Sequence, residues 1–207
     1  MADPEGHGGE DRILTVPNLI TLVRLACLPL FLYLLFGRSN RAAAAALLAA
    51  LGATDWVDGY IARRYHQVST FGKVLDPVAD RLLFFVGVGA IIIDGSAPLW
   101  FSIAVLAREA FVSLAVLGLA ALGARRIDVT WYGKAGTFCL MFAFPLFLAG
   151  SDTSLAGADL FTLAAWGFGI PGLALSYYAA LLYIPIGLTA LRDGRAARRA
   201  ALVEEAT

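Results

Sequence analysis

The chain has 207 residues, 59% of them hydrophobic and 15% charged, with 16 basic side chains balancing 16 acidic ones. Soluble domains average roughly 45–50% apolar and about 25% charged residues, so this composition excludes an ordinary water-soluble globule. It predicts an all-α, polytopic protein of a lipid bilayer, with no nucleic-acid partner.

Residues 1–10 are polar and contain glycine, without the basic segment and short apolar core of a cleaved signal peptide, so the first span is expected to be a retained anchor. Residues 11–16 mix charges with Ile13 and Leu14, as a short interfacial helix does, and close a polar N-terminal segment, 1–16. Six apolar stretches follow, at 17–36, 42–61, 77–93, 99–122, 133–149 and 160–191. A hydrocarbon core about 30 Å thick takes roughly 20 helical residues to cross, so each stretch is predicted to be a transmembrane helix. The sixth is longer than one crossing needs and contains Pro171 and Pro185, which predict bends. The breaks between stretches are too short for a second domain, which makes 17–191 a single six-helix domain. Residues 192–207 form a charged, helix-compatible tail suited to anionic headgroups. Cys27 and Cys139 both fall inside predicted spans and read as packing residues.

Basic residues set orientation through their excess on the cytoplasmic side. With the N-terminus inside, the inner segments hold Arg12; Arg63, Arg64 and Lys73; Arg125, Arg126 and Lys134; and Arg192, Arg195, Arg198 and Arg199. The outer connections hold Arg38 and Arg41. Six spans with both termini cytoplasmic satisfy the bias, whereas five would leave one arginine-rich end outside.

Four aspartates stand at the facing ends of the second and third stretches, in the pattern Asp55-x2-Asp58-Gly59-x2-Ala62-Arg63-x8-Gly72-x3-Asp76-x3-Asp80. Ionisable groups in spanning segments are costly and mark function. At about 100° per residue, Asp55, Asp58, Gly59 and Ala62 share an arc of about 100°, and Asp76 and Asp80 lie about 40° apart. A carboxylate set without His or Cys suits hard divalent ions such as Mg²⁺ or Mn²⁺. Four carboxylates can hold two such ions, with substrate phosphates completing the shells. Gly59, Ala62 and Gly72 leave room for close approach to the backbone, and Arg63 can grip a phosphate oxygen in bidentate fashion. The structural alternative is that the acids pair with Arg63, Arg81 or Arg108 and merely hold helices together; the acids outnumber those partners.

The run DWVDGYIARRYHQVSTFGKVLDPVAD resembles the signature of the CDP-alcohol phosphatidyltransferase family at every defining position. The likeness extends from TVPNLITLVR through AREAFVS to VTWYGKAGTF. It implies a six-helix, usually dimeric enzyme in which CDP-diacylglycerol donates its phosphatidyl group to an alcohol and CMP is released, at the cytoplasmic side of a bacterial cell membrane. By that resemblance Asp55, Asp58 and Asp76 are metal ligands, and Asp80 is both a ligand and the catalytic base for the acceptor hydroxyl. Gly59, Arg63 and Ser69 match positions that hold the CDP portion, and Asn18 and Thr21 resemble the nucleotide-side wall.

Cations for the acceptor are sought at Arg108, Arg126 and Lys134. Arg108 stands beside Glu109 and is read either as an anion ligand or as half of a structural pair, and Lys134 either snorkels or contacts an acceptor phosphate. The chain resembles the branch holding phosphatidylglycerophosphate synthases and the CDP-alcohol type of cardiolipin synthases. Glycerophosphate-using members carry a further arginine two turns after the Arg-Glu pair, where this chain has Val116. That favours phosphatidylglycerol as acceptor, with glycerol 3-phosphate as the alternative and inositol phosphate or serine behind it. A divalent-cation transporter, the rival of another class, would spread its acids across the membrane depth, whereas these gather at one level.

Overall fold

The computed structural model describes residues 16–65, 70–124 and 130–205, with the backbone alone at 16–17, 55–65, 70–77, 120 and 194–205. The described residues form helices and no strand. The helices are α1 (Val16–Leu32), α2 (Arg41–Tyr65), α3 (Thr70–Asp94), α4 (Leu99–Ala121), α5 (Trp131–Gly150) and α6 (Ala158–Glu205). A π-helical turn, Tyr33–Gly37, extends α1, with the Arg38 N–H reaching the Tyr33 carbonyl at 2.9 Å. Each predicted span falls on one helix. Four runs among the described residues are long and apolar enough to cross a membrane: Asn18–Gly37, Leu99–Leu119, Trp131–Gly150 and Ala158–Asp193; a shorter apolar run, Arg41–Thr54, lies on α2.

The burial pattern is that of a protein whose solvent is lipid. On α1, Asn18, Thr21 and Arg24 are buried while Leu19, Leu22 and Val23 are exposed. On α4, Ser102 and Arg108 are buried while Trp100, Ile103, Phe111 and Leu114 face outward. A helix at a water interface does the reverse, because its polar face is hydrated. In hydrocarbon the polar groups must find partners inside the bundle, so they turn inward.

The chain divides into two compact units, Met1–Pro98 with Phe144–Ala165, and Leu99–Ala143 with Trp166–Thr207. In the first unit α1 packs against both α2 and α3. Phe31, Leu35, Ala44, Ile91 and Leu148 belong to its core. One end of this unit is tied by polar contacts among three connections. Arg41 donates to both oxygens of Asp94, at 2.9 and 3.2 Å, and to the Ser151 carbonyl at 3.5 Å. The Asp152 carboxylate accepts from the Ala42 N–H at 2.9 Å, and the Asn40 side chain caps α2 through the Ala43 N–H at 2.9 Å. Ser96 donates to Asp94 as well. Hydrogen bonds from Ser154, first its hydroxyl and then its N–H, hold the Asp152 carboxyl below the ordinary carboxylate range.

In the second unit, Trp100 of α4 stacks on Trp166 of α6 with ring centroids 5.7 Å apart. Glycines let α5 and α6 approach closely: a Cβ at Gly136 would stand 2.9 Å from the Ser176 backbone nitrogen, and one at Gly172 2.9 Å from the Cys139 Cβ. Such small-residue contacts are how spanning helices gain packing where burial from water contributes nothing.

Candidate active site

Asp55 and Asp58 lie on the C-terminal half of α2, and Asp76 and Asp80 on the N-terminal half of α3. Tyr65 ends α2 and Thr70 begins α3, so covalent geometry keeps those two ends within roughly 18 Å of each other. Asp55 and Asp80 stand equally far from those ends along their helices, and Asp58 and Asp76 nearly so. Gly59 and Arg63 share the last turns of α2 with the first pair. The side chains of Asp55, Asp58, Arg63 and Asp76 lie outside the described ones, and Ser69 and Arg126 lie outside the described residues altogether.

Asp80 is the member of the set whose side chain is described. It is 47% exposed, and its carboxylate accepts a hydrogen bond from Arg24 Nη1 at 3.0 Å. Arg24 is 4% exposed and lies on the inward stripe of α1. At about 100° per residue Asn18, Thr21, Arg24, Leu28, Phe31 and Leu35 fall within an arc of roughly 140°, and all six are buried. The polar half of that stripe holds the two residues expected to wall the nucleotide, so both are found inside the unit that carries the aspartates. Arg24 was not among the expected site residues. The signal for it was in the sequence: a guanidinium in the most apolar of the four candidate spans is a functional candidate by default.

The all-oxygen donor types that the sequence places on α2 and α3 fit a hard divalent cation. The described residues by themselves contain no group of three or more His, Cys, Asp or Glu that could hold a metal ion.

The acceptor candidates lie in the second unit. Arg108 is buried, its Nε donating to the Ser176 carbonyl at 3.2 Å and its Nη1 to Glu109 at 2.7 Å. The structural pair is therefore formed within α4, and the bond to Ser176 joins α4 to α6; Nη2 stays outside both contacts. Lys134 is exposed in the first turn of α5, and Val116 is exposed on α4.

Helices long and apolar enough to cross a membrane, with buried polar residues on their inward faces, define a helical membrane protein. The family model described as CDP-alcohol phosphatidyltransferase matches residues 14–171. A Streptomyces coelicolor protein named cardiolipin synthase (CMP-forming) is 40% identical over 179 residues, covering 84% of this chain and 83% of that one. A Mycobacterium bovis protein provisionally named a cardiolipin synthase is 35% identical over 175 residues, with 84% and 83% covered. The CDP-diacylglycerol–glycerol-3-phosphate 3-phosphatidyltransferase of Bacillus subtilis is 33% identical over 166 residues, with 73% and 86% covered. The chain belongs to the CDP-alcohol phosphatidyltransferase family. It is an enzyme of phospholipid synthesis, and its family uses CDP-diacylglycerol and an alcohol acceptor in membranes, generally with a divalent metal. Its relatives are bacterial lipid synthases, and it is a bacterial membrane protein.

Proposed function

We propose that the enzyme transfers the phosphatidyl group of CDP-diacylglycerol to phosphatidylglycerol, forming cardiolipin and CMP. The observation that carries this reading is the 40% identity, over most of both chains, to a relative named cardiolipin synthase. The residue at position 116 supports it. A doubly charged glycerol phosphate gains more from an added guanidinium than a phosphodiester does, and an exposed valine stands where glycerophosphate-using members carry arginine.

In the step itself, the acceptor hydroxyl oxygen attacks the phosphorus of the phosphatidyl group, the bond from that phosphorus to the CMP oxygen breaks, and CMP leaves. Asp80 takes the hydroxyl proton. Asp55, Asp58, Asp76 and Asp80 would hold two Mg²⁺ or Mn²⁺ ions, which supply charge stabilisation to the diphosphate when bound. Asn18, Thr21, Gly59, Arg63 and Ser69 bind the CDP portion, and Arg108, through Nη2, with Arg126 and Lys134 serve the acceptor phosphate. The enzyme works as a homodimer with its active site at the cytoplasmic face.

The test is the lipid product. Purified protein given labelled CDP-diacylglycerol is expected to form cardiolipin with phosphatidylglycerol and little product with glycerol 3-phosphate, and Val116→Arg is expected to raise the second activity. A charge-assisted contact of about 1.5–3 kcal/mol bounds that gain at roughly 10–100-fold. The relative from Bacillus subtilis favours the second reading, glycerol 3-phosphate as acceptor. Efficient use of glycerol 3-phosphate with no cardiolipin formed makes that reading the correct one.

A further inference from the structure

We propose that Arg24 is a positioning residue for the reaction: its buried guanidinium holds the carboxylate of Asp80 in the orientation that the phosphatidyl transfer needs. The inference rests on the reading of Asp80 as the base and assigns to α1 a role in the chemistry.

The two partners are unequal. Arg24 is almost completely buried on α1, and Asp80 is nearly half exposed on α3, with 3.0 Å between Nη1 and Oδ1. The guanidinium is thus fixed by its surroundings, and the carboxylate leans on it from the open side. An exposed pair of two long, loose side chains adds little order. Here one partner is already immobile, so the contact restricts the other, and a short aspartate held at one oxygen has few rotamers left.

Placement within the membrane argues the same way. Burying a guanidinium in an apolar helix is costly, and a pair made only to join α1 to α3 is replaceable by apolar packing at no loss. Arg24 contacts the aspartate to which the proposed reaction gives a proton-transfer role. The distance between a base and its proton must be kept within a few tenths of an ångström, and a misplacement of 1 Å from a change outside the reacting groups lowers turnover by about 10²-fold. The nucleotide-side candidates Asn18 and Thr21 precede Arg24 on the same stripe, so one rigid face of α1 bears both on the donor and on the base.

The experiment uses the full-length enzyme in detergent with Mg²⁺ or Mn²⁺, measuring kcat and the KM for CDP-diacylglycerol separately, alongside thermal unfolding. Arg24→Met is expected to lower kcat by about 10–100-fold while KM changes less than about 3-fold, and Arg24→Lys, which keeps a cation without the fixed fork, to lie between it and the wild type. In an Asp80→Glu background, Arg24→Met is expected to cost much less than it does alone, because residues that act as a unit are not additive.

A structural role alone gives another pattern: Arg24→Met and Arg24→Lys lose thermal stability with kcat per folded enzyme unchanged, or the losses of the double variant multiply. Either result overturns the proposal. Should Arg24→Met not purify as a folded protein, Arg24→Lys decides, a lowered kcat at constant KM supporting the role and an unchanged kcat refuting it. Asp80→Asn separates the two levels of inference. Near-normal turnover in that variant removes the base assignment itself, whereas an inactive Asp80→Asn beside a fully active Arg24→Met removes only the positioning.

Discussion

In the proposed site, four carboxylates brought close together would repel one another until cations are bound. Replacing one acid by its amide relieves some repulsion but deletes a charged ligand, and for a hard ion the second effect dominates. Asp76→Asn and Asp55→Asn are therefore expected to abolish turnover while leaving the protein folded, and EDTA to abolish turnover of the wild type, with recovery on adding excess Mg²⁺ or Mn²⁺. Full activity of the wild type in EDTA would show that the acids serve another purpose. The four aspartates stand out in the sequence because their chemistry is conspicuous in an apolar chain, and Asp80 is the one whose side chain is described. Arg24 was harder to see, since a lone arginine six residues into a candidate span carries no spacing pattern until α1 is packed on α3. Arg108 shows the opposite difficulty. Its neighbour Glu109 was plain in the sequence, but the Ser176 carbonyl that completes its contacts comes from a helix far along the chain.

Helices were the easiest part to read, because an apolar run of spanning length has few other fates in lipid. Their ends were less legible. α3 begins at Thr70, ahead of its apolar stretch, and α6 runs without interruption from Ala158 to Glu205 through Pro171 and Pro185. Spanning helices tolerate proline where neighbours re-satisfy the freed groups, so an unbroken helix is compatible with the bends expected there. At 1.5 Å per residue 48 helical residues span roughly 72 Å along the helix path, more than the 40–45 Å of a whole bilayer, so α6 is expected to continue beyond the membrane into the charged tail. Its packing on α5 depends on missing side chains. Gly136→Ala would set a Cβ 2.9 Å from the Ser176 nitrogen and 3.1 Å from the Gly172 carbonyl oxygen, both backbone atoms that cannot swing aside. The expected loss is about 1–3 kcal/mol of stability, read by thermal unfolding in detergent. Gly118→Ala, on α4 with nothing within 4 Å of the new methyl, is the control and is expected to be neutral or slightly stabilising. Equal losses in the two variants would mean that close packing at Gly136 is not what holds α5 to α6.

Threading through the membrane joins these observations into one expectation. The connections after α1, α3 and α5 meet at one end of the first unit, where Arg41 donates to both the Asp94 carboxylate and the Ser151 carbonyl. In the proposed six-span topology, where helices alternate up and down, the connection between α2 and α3 falls at the other end. Contacts fix which connections share a side; the basic residues decide which side it is. The shared end carries Arg38 and Arg41, while the segments assigned to the opposite side carry every other arginine and lysine except Arg24, Arg81 and Arg108, which lie within the helices, so the latter side is expected to be cytoplasmic. Cysteine accessibility checks this in a background with Cys27 and Cys139 replaced by alanine. Ser154→Cys, exposed between α5 and α6, is expected to react with a membrane-impermeant maleimide in intact cells, and Asp193→Cys, exposed toward the end of α6, only after the membrane is opened. Labelling of both in intact cells would break the alternation, and labelling of Asp193→Cys alone would invert the enzyme, placing the aspartates on the face away from the cytoplasm.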